Sequence, residues 1–225
     1  MRGPDMLERI VVDEAVWELR PDFAVLVMTA KGLENGPSDE RSEGWLAQAA
    51  LKAGDDPHVE SWRQAYRAFG AKPQRTRPSV DALLRRAGAL PSINRVVDAY
   101  NAVSVEYALP IGGEDLDAYQ GPARLVRATG DEPFDVIAGG EPAVEHPVAG
   151  EVVWRDDAGV TCRRWNWRQC VRTRLTEDTV NGIFLLERLE PYALDRLAEA
   201  GDELAARLRA ISPGARIETR LIGRP

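Results

Sequence analysis

The sequence predicts an α+β fold, with helices first, a β-rich half second and a closing helix. Three observations predict it. Apolar residues recur at three- and four-residue spacing up to about residue 107. After the glycine pair at 112–113, short β-branched runs alternate with Gly and Pro. Residues 192–211 return to amphipathic helical spacing. Strands and helices do not alternate as βαβ units, so a doubly wound parallel sheet is not expected. We read residues 1–225 as a single domain, with 191–225 as a C-terminal helix and tail.

The elements follow in order. FAVLVMTAKG (23–32) is a buried strand, apolar and β-branched, ended by Gly32. Ser38 or Asp39 caps a helix running to about Ala53. A second helix starts at Asp56-Pro57, where proline suits the first helical turn, and stops at Gly70; Trp62, Ala65, Tyr66 and Phe69 form its stripe. The loop AKPQRTRP cannot continue a helix through its prolines. Ser79 caps a short helix ended by Gly88. ARLVRAT (123–129), FDVIAG (134–139) and NGIFLLERL (181–189) read as strands, and EVVWRDDAGVTCRRW (151–165) as a hairpin turning at Asp-Asp-Ala-Gly. The final helix is expected despite Gly201.

Residues 93–107 read as a helix capped by Ser92, with Ile93, Val96, Val97, Tyr100 and Val103 on its apolar stripe. Asn94, Asp98 and Asn101 stack on the opposite face. A merely solvated face carries Glu, Lys and Arg more readily, since Asn and Asp are poor helix formers. The row therefore either grips a ligand or ties the helix to neighbouring loops.

The totals exclude several classes. With 44% hydrophobic and 29% charged residues, the composition is that of a soluble globular protein. The amino-terminal stretch mixes acids with apolar residues, unlike a signal or transit peptide, and FAVLVMTA is too short to span a membrane. Two cysteines without a secretory signal imply thiols in a reducing cytoplasm. They are eight apart with no histidine beside them, so no metal site is expected. The two histidines, His58 and His146, are read as lying in Pro-flanked loops. The Walker phosphate loop, the dinucleotide fingerprint and GxSxG are missing, and no cofactor is expected. A net charge of −7 opposes indiscriminate binding of DNA or RNA. Two basic clusters stand against that background: KPQRTRP (72–78), and RRWNWRQCVRTR (163–174), with five arginines and no acid.

At INRVVDAYNAVSVEYALPIGGEDLD (93–117) the chain resembles the editing module of the bacterial phenylalanyl-tRNA synthetase β-subunit, often called the B3/B4 domain. Asn94, Val96, Val97, Asp98, Asn101, Pro110 and Asp115 keep the order and spacing of that family's motif. The likeness spans roughly residues 60–190 and extends, through KPQRTRPSVDALLRRAG and GEVVWRDDAGVTCRRWNWRQ, to free-standing members. The family's histidine after Pro-x falls at Gly112. The resemblance implies a mixed α/β fold with a cleft for the aminoacylated 3′ end of tRNA, and hydrolysis of a mischarged ester in trans. On that view Asn101, Ser104, Gly112 and Gly113 line one wall. Arg164 and Asn166 line the other, on one side of the hairpin strand. Asn94 and Asp98 serve substrate binding. Asp115 or Glu151 holds the amino acid's ammonium, and Trp165 or Trp167 stacks on the terminal adenine. Arg75, Arg77 and Arg168 meet phosphates. The rival expectations are a non-catalytic tRNA or RNA module and a pocket for a free amino acid or nucleoside.

Overall fold

The structure, a computed structural model, describes residues 6–224, so the part of the amino-terminal reading that rests on residues 1–5 lies outside the described residues. A four-stranded antiparallel sheet forms the middle layer. It is built in the order β11 (Arg216–Gly223), β2 (Ala24–Lys31), β10 (Asn181–Arg188) and β3 (Ile111–Asp115). Period-two alternation splits each strand between two cores. Met28, Ala30, Phe184 and Leu186 face α5 (Arg95–Tyr107) and α6 (Leu194–Ile211). Val25, Val27, Ile183 and Leu185 face α1 (Glu14–Leu19), α3 (Pro57–Ala68) and a second sheet. That sheet runs β1 (Val11–Val12), β4 (Arg124–Arg127), β7 (Val152–Arg155), β8 (Val160–Arg163) and β9 (Arg168–Gln169). A two-stranded ribbon, β5 (Phe134–Ala138) with β6 (Glu141–Glu145), stands beside it. The α+β class is as the sequence predicts.

The helices begin where their capping chemistry allows. Asp39 caps α2 (Glu40–Lys52) in a reciprocal box with Ser42. Asp56 caps α3, with Pro57 in the first turn. Two expected caps move. Helix α4 (Ser79–Leu84) follows Pro78 in the cap position, with no side-chain cap, so Ser79 is its first residue. Helix α5 is capped by Asn94, whose Oδ1 accepts the Val97 N–H at 2.9 Å, rather than by Ser92. Ile93 therefore precedes the helix and is 52% exposed instead of belonging to the apolar stripe. Gly201 is explained by close approach: a Cβ there would meet Leu26 Cδ2 at 2.4 Å, so the glycine lets α6 settle on β2.

Three further features differ from, or add to, what the sequence predicts. The PIGGED stretch, noted in the sequence only for its glycine pair, already belongs to a strand, because Ile111–Asp115 pairs along the edge of the middle sheet with β10. The tail after Ser212 returns as β11, paired with β2 over eight residues. His58 lies in α3, fully buried, not in a loop. Its Nε2 accepts from Trp62 Nε1 and from the Leu189 N–H, so Nδ1 carries the proton and donates to the Ala108 carbonyl. Burial pushes its pKa down to about 4, keeping the ring neutral.

Candidate functional site: a cavity between helix, sheet and turn

The sheet edge β3, the helices α4 and α5, and the turn after β8 surround a cavity of ≈ 360 Å³, within the size range of small-ligand sites. Helix α5 contributes Tyr100 and Asn101, and Asn101 makes no side-chain hydrogen bond to any described residue. Strand β3 contributes Ile111, Gly112 and Glu114, and β10 contributes Leu185 and Glu187. Opposite them stand Trp165, Asn166, Trp167 and Arg168. Asn101 of the helix and residues 165–169 of the turn thus line one cavity.

The turn is unusual in its backbone. Arg164 and Trp165 both take left-handed conformations, with φ of 47° and 68°. Two consecutive non-glycine residues there are uncommon, since each L side chain is crowded by its own carbonyl. They end β8 and abolish period-two alternation, which overturns the expectation that Arg164 and Asn166 share one side of a strand. Asn166 instead points into the cavity. Arg164 lines a neighbouring groove of ≈ 480 Å³ with Lys72, Arg75 and Glu151, and its guanidinium stacks 4.4 Å from the Trp167 ring. Trp165 is wholly buried, edge-on to Trp62 at 5.3 Å and to Phe23 at 5.1 Å, so its faces are occupied by aromatic neighbours. Its indole N–H has no hydrogen-bond partner among the described residues.

The other anticipated residues divide between the cavity and its scaffold. Gly112 lines the cavity, and a Cβ there would meet only Gln169 Nε2 at 3.4 Å. Gly113 faces the opposite way, and a Cβ would lie 2.7 Å from the Tyr100 ring. The Gly113 carbonyl accepts from Gln169 Nε2 on the outer edge, so by antiparallel alternation the Gly112 peptide groups are turned toward β10. Ser104 is buried and donates to the Leu109 carbonyl at 2.5 Å. Asn94 and Asp98 lie away from the cavity. Besides capping α5, Asn94 accepts from Asn35 Nδ2; Asp98 accepts from Ser38, Ser42 and the Ile93 N–H. Of the two readings of the carboxamide row, the tie to loops describes these two residues, and only Asn101 faces the cavity. Asp115 accepts from the Asp117 N–H and from Thr179, also outside it. Glu151 is buried and grips Arg163 through both oxygens at 3.0 and 2.9 Å. Arg77 pairs with buried Asp81 at 3.4 Å, whereas Arg75 is exposed in the groove beside the cavity.

Sequence reasoning missed two carboxylates. Glu114 and Glu187 line the cavity while only 1% and 2% exposed. Burial pushes the Glu114 carboxyl up to about 7, against the opposing hydrogen bond from Tyr119, whose hydroxyl donates at 2.5 Å. Burial pushes Glu187 up to about 8, although Asn166 Nδ2 donates to it at 2.9 Å and Trp154 Nε1 at 2.8 Å. Tyr66 donates to Asn166 Oδ1 at 2.9 Å, so the Asn166 amide is oriented at both ends. One signal was available: in NGIFLLERL, Glu187 falls on the same alternating face as Ile183 and Leu185, where a solvated strand end was not due. No helix among the described residues is long and apolar enough to cross a membrane.

Comparison with known proteins adds the following. No curated protein matches the chain. Among solved structures, it is similar to an N-terminal fragment of the phenylalanyl-tRNA synthetase β-subunit from Pyrococcus horikoshii, at 15% identity and a TM-score of 0.48. That likeness covers 96% of this chain and 54% of the fragment, so the chain spans about half the length of the structure it matches. The model of one protein family, described as the B3/4 domain, matches residues 61–201. That span includes every residue lining the cavity, and the chain belongs to the B3/4 domain family.

Proposed function

We propose that the chain is a trans-editing aminoacyl-tRNA deacylase, hydrolysing the ester of a mischarged tRNA in the cavity between α5 and the β8–β9 turn. The observation that carries this reading is the confrontation of Asn101 and Gly112 with Asn166 and Arg168 across a cavity of ≈ 360 Å³. An aminoacyl ester is already an activated acyl group, so its hydrolysis needs an oriented water and polar donors rather than a protein nucleophile. Water oxygen bonds to the ester carbonyl carbon, the carbon–oxygen bond to the ribose breaks, and the tRNA regains its hydroxyl. The unpartnered Asn101 amide is available to hold that water or the developing oxyanion. Asn166, fixed by Tyr66 and Glu187, shapes the opposite wall. Exposed Arg86 and half-exposed Arg168 at the mouth suit the terminal phosphates, and Trp167 suits stacking on the terminal base.

The test is release of amino acid from a panel of correctly and incorrectly charged tRNAs. Selective hydrolysis that falls about a hundredfold or more in Asn101→Ala, the loss expected for one oriented donor, supports the reading. Salt-sensitive tRNA binding without turnover points instead to a non-catalytic module. Indifference to every tRNA, together with thermal stabilisation by amino acids or nucleosides, points to a small-molecule pocket, which the net charge of −7 also favours.

A further inference from the structure

The hydrolytic scheme gives Glu187 only the fixing of Asn166 and leaves Glu114 without a task. Both are buried at the cavity, and among the described residues neither forms an ion pair with Lys or Arg; their partners, Tyr119, Thr161 and Thr173 for Glu114 and Trp154 and Asn166 for Glu187, are all neutral. A buried carboxylate with no counter-ion either keeps its proton or receives a cation from outside.

Their placement is ordered. They occupy neighbouring antiparallel strands on one sheet face. Glu114 stands opposite Ile183, and the Glu187 N–H bonds the Pro110 carbonyl, which sets the two carboxylates four residues apart along the sheet. That is about 13 Å at the backbone. Between them Gly112 pairs with Leu185, leaving an apolar floor without a side chain on the β3 side. On the exposed side of the lining stand Arg86 and Arg168, the latter 3.8 Å from Glu145. A separate observation also points to a missing ligand. The buried Trp165 indole lines the same cavity, and its N–H lacks an acceptor. The indole also helps hold the Glu187 carboxyl down, but without meeting hydrogen-bond geometry to it. An unsatisfied buried donor calls for an explanation, and a bound acyl oxygen supplies one.

We propose that the cavity is built for a basic amino acid, lysine, ornithine or arginine, whose α-ammonium meets Glu187 and whose side-chain cation meets Glu114. The alkyl chain lies over the Gly112–Leu185 floor, and the carbonyl oxygen accepts the Trp165 N–H. This assignment rests on the aminoacyl-ester reading and names its substrate class.

The test uses the full chain and no tRNA. Isothermal titration at neutral pH compares the methyl esters of L-lysine and of L-norleucine, which matches lysine's length but lacks the terminal amine. The lysine ester binds at least about tenfold tighter, the ratio set by one charge-assisted contact. Glu114→Gln brings the ratio to about one by weakening the lysine ester alone, with norleucine ester affinity unchanged as the check that the cavity is intact. Equal or tighter binding of the norleucine ester overturns the proposal, as does a lysine preference that survives in E114Q, or no binding of either ester. If E114Q does not fold, the ratio in the unaltered protein decides. Because tRNA is absent, failure of every charged tRNA to be hydrolysed sinks the editing reading without touching this measurement.

Discussion

Glu114 is where the molecule's charge and its stability meet most directly. Its folded pKa is raised from 4.5 to about 7 by burial. The folded state therefore binds its proton more tightly than the unfolded chain does. The corresponding stability is fully present below about pH 4.5 and is lost as pH rises through 7. Two and a half pKa units correspond to about 3 kcal/mol. Glu114→Gln removes the charge and keeps an oxygen for Tyr119, so its stability relative to the unaltered protein should rise by about 3 kcal/mol between pH 4.5 and 8.5. Urea unfolding at both values measures this, and a difference that does not change with pH would refute the burial of charge at this site. The same residue shows what a linear sequence conceals. Within PIGGED, nothing in the linear pattern announces that the glutamate is buried. Only pairing of 111–115 with β10 turns it into the cavity. Asn101, by contrast, was legible, because helical spacing alone fixes which side chains share its face.

Adjacent elements convert that concealed information into shape, and the two glycines of β3 separate its parts. Alternation sends Gly112 toward the cavity and Gly113 toward Tyr100 of α5. A Cβ on Gly113 meets the Tyr100 ring at 2.7 Å and Leu175 Cδ1 at 2.9 Å, both in the buried core. Gly113→Ala should therefore cost about 1–3 kcal/mol by overpacking and displace the ring that lines the cavity. Gly112→Ala meets only the Gln169 amide at ordinary contact distance and should leave the melting temperature within a degree or two, while narrowing the cavity and weakening its ligand. Thermal melts of both variants, beside titration with an amino-acid ester, check the pair. Equal destabilisation by the two would contradict the register of β3. Elements with long periodic patterns, such as α3, α5, α6 and β10, were readable in the sequence because one apolar face determines each. What escaped is what periodicity does not encode. β11, RIETRLIG, lacks a regular polar–apolar alternation and gains its strand character from β2, and the Arg164–Trp165 turn breaks alternation through backbone conformations that no side-chain pattern announces.

The cavity belongs to no single segment; its lining runs from Ser79 to Glu187 and is assembled only when helix, sheet edge and turn meet. Its volume, and hence its choice of ligand, is therefore a property of the whole molecule. So is the balance of charge around it. The chain carries −7 overall, yet Arg75 and Lys72 line the groove beside the cavity without an ion-pair partner among the described residues, and Arg86 and Arg168 stand at the mouth. An acidic protein with a local cationic rim repels polyanions elsewhere and admits them at one place. Arg77, only two residues from Arg75, is different, because it is half-buried and held 3.4 Å from buried Asp81, a carboxylate it shares with Arg63 and Arg85. If the rim receives the end of a tRNA, Arg75→Ala should weaken binding and lower the slope of log affinity against log salt by about 0.7–0.9, the release of one counterion. Arg77→Ala, at a side chain already drawn toward Asp81, should lower that slope less. Fluorescence anisotropy of labelled tRNA over a series of potassium chloride concentrations distinguishes them. An unaltered slope in Arg75→Ala would remove the groove from the binding path and leave the cavity to a small free ligand.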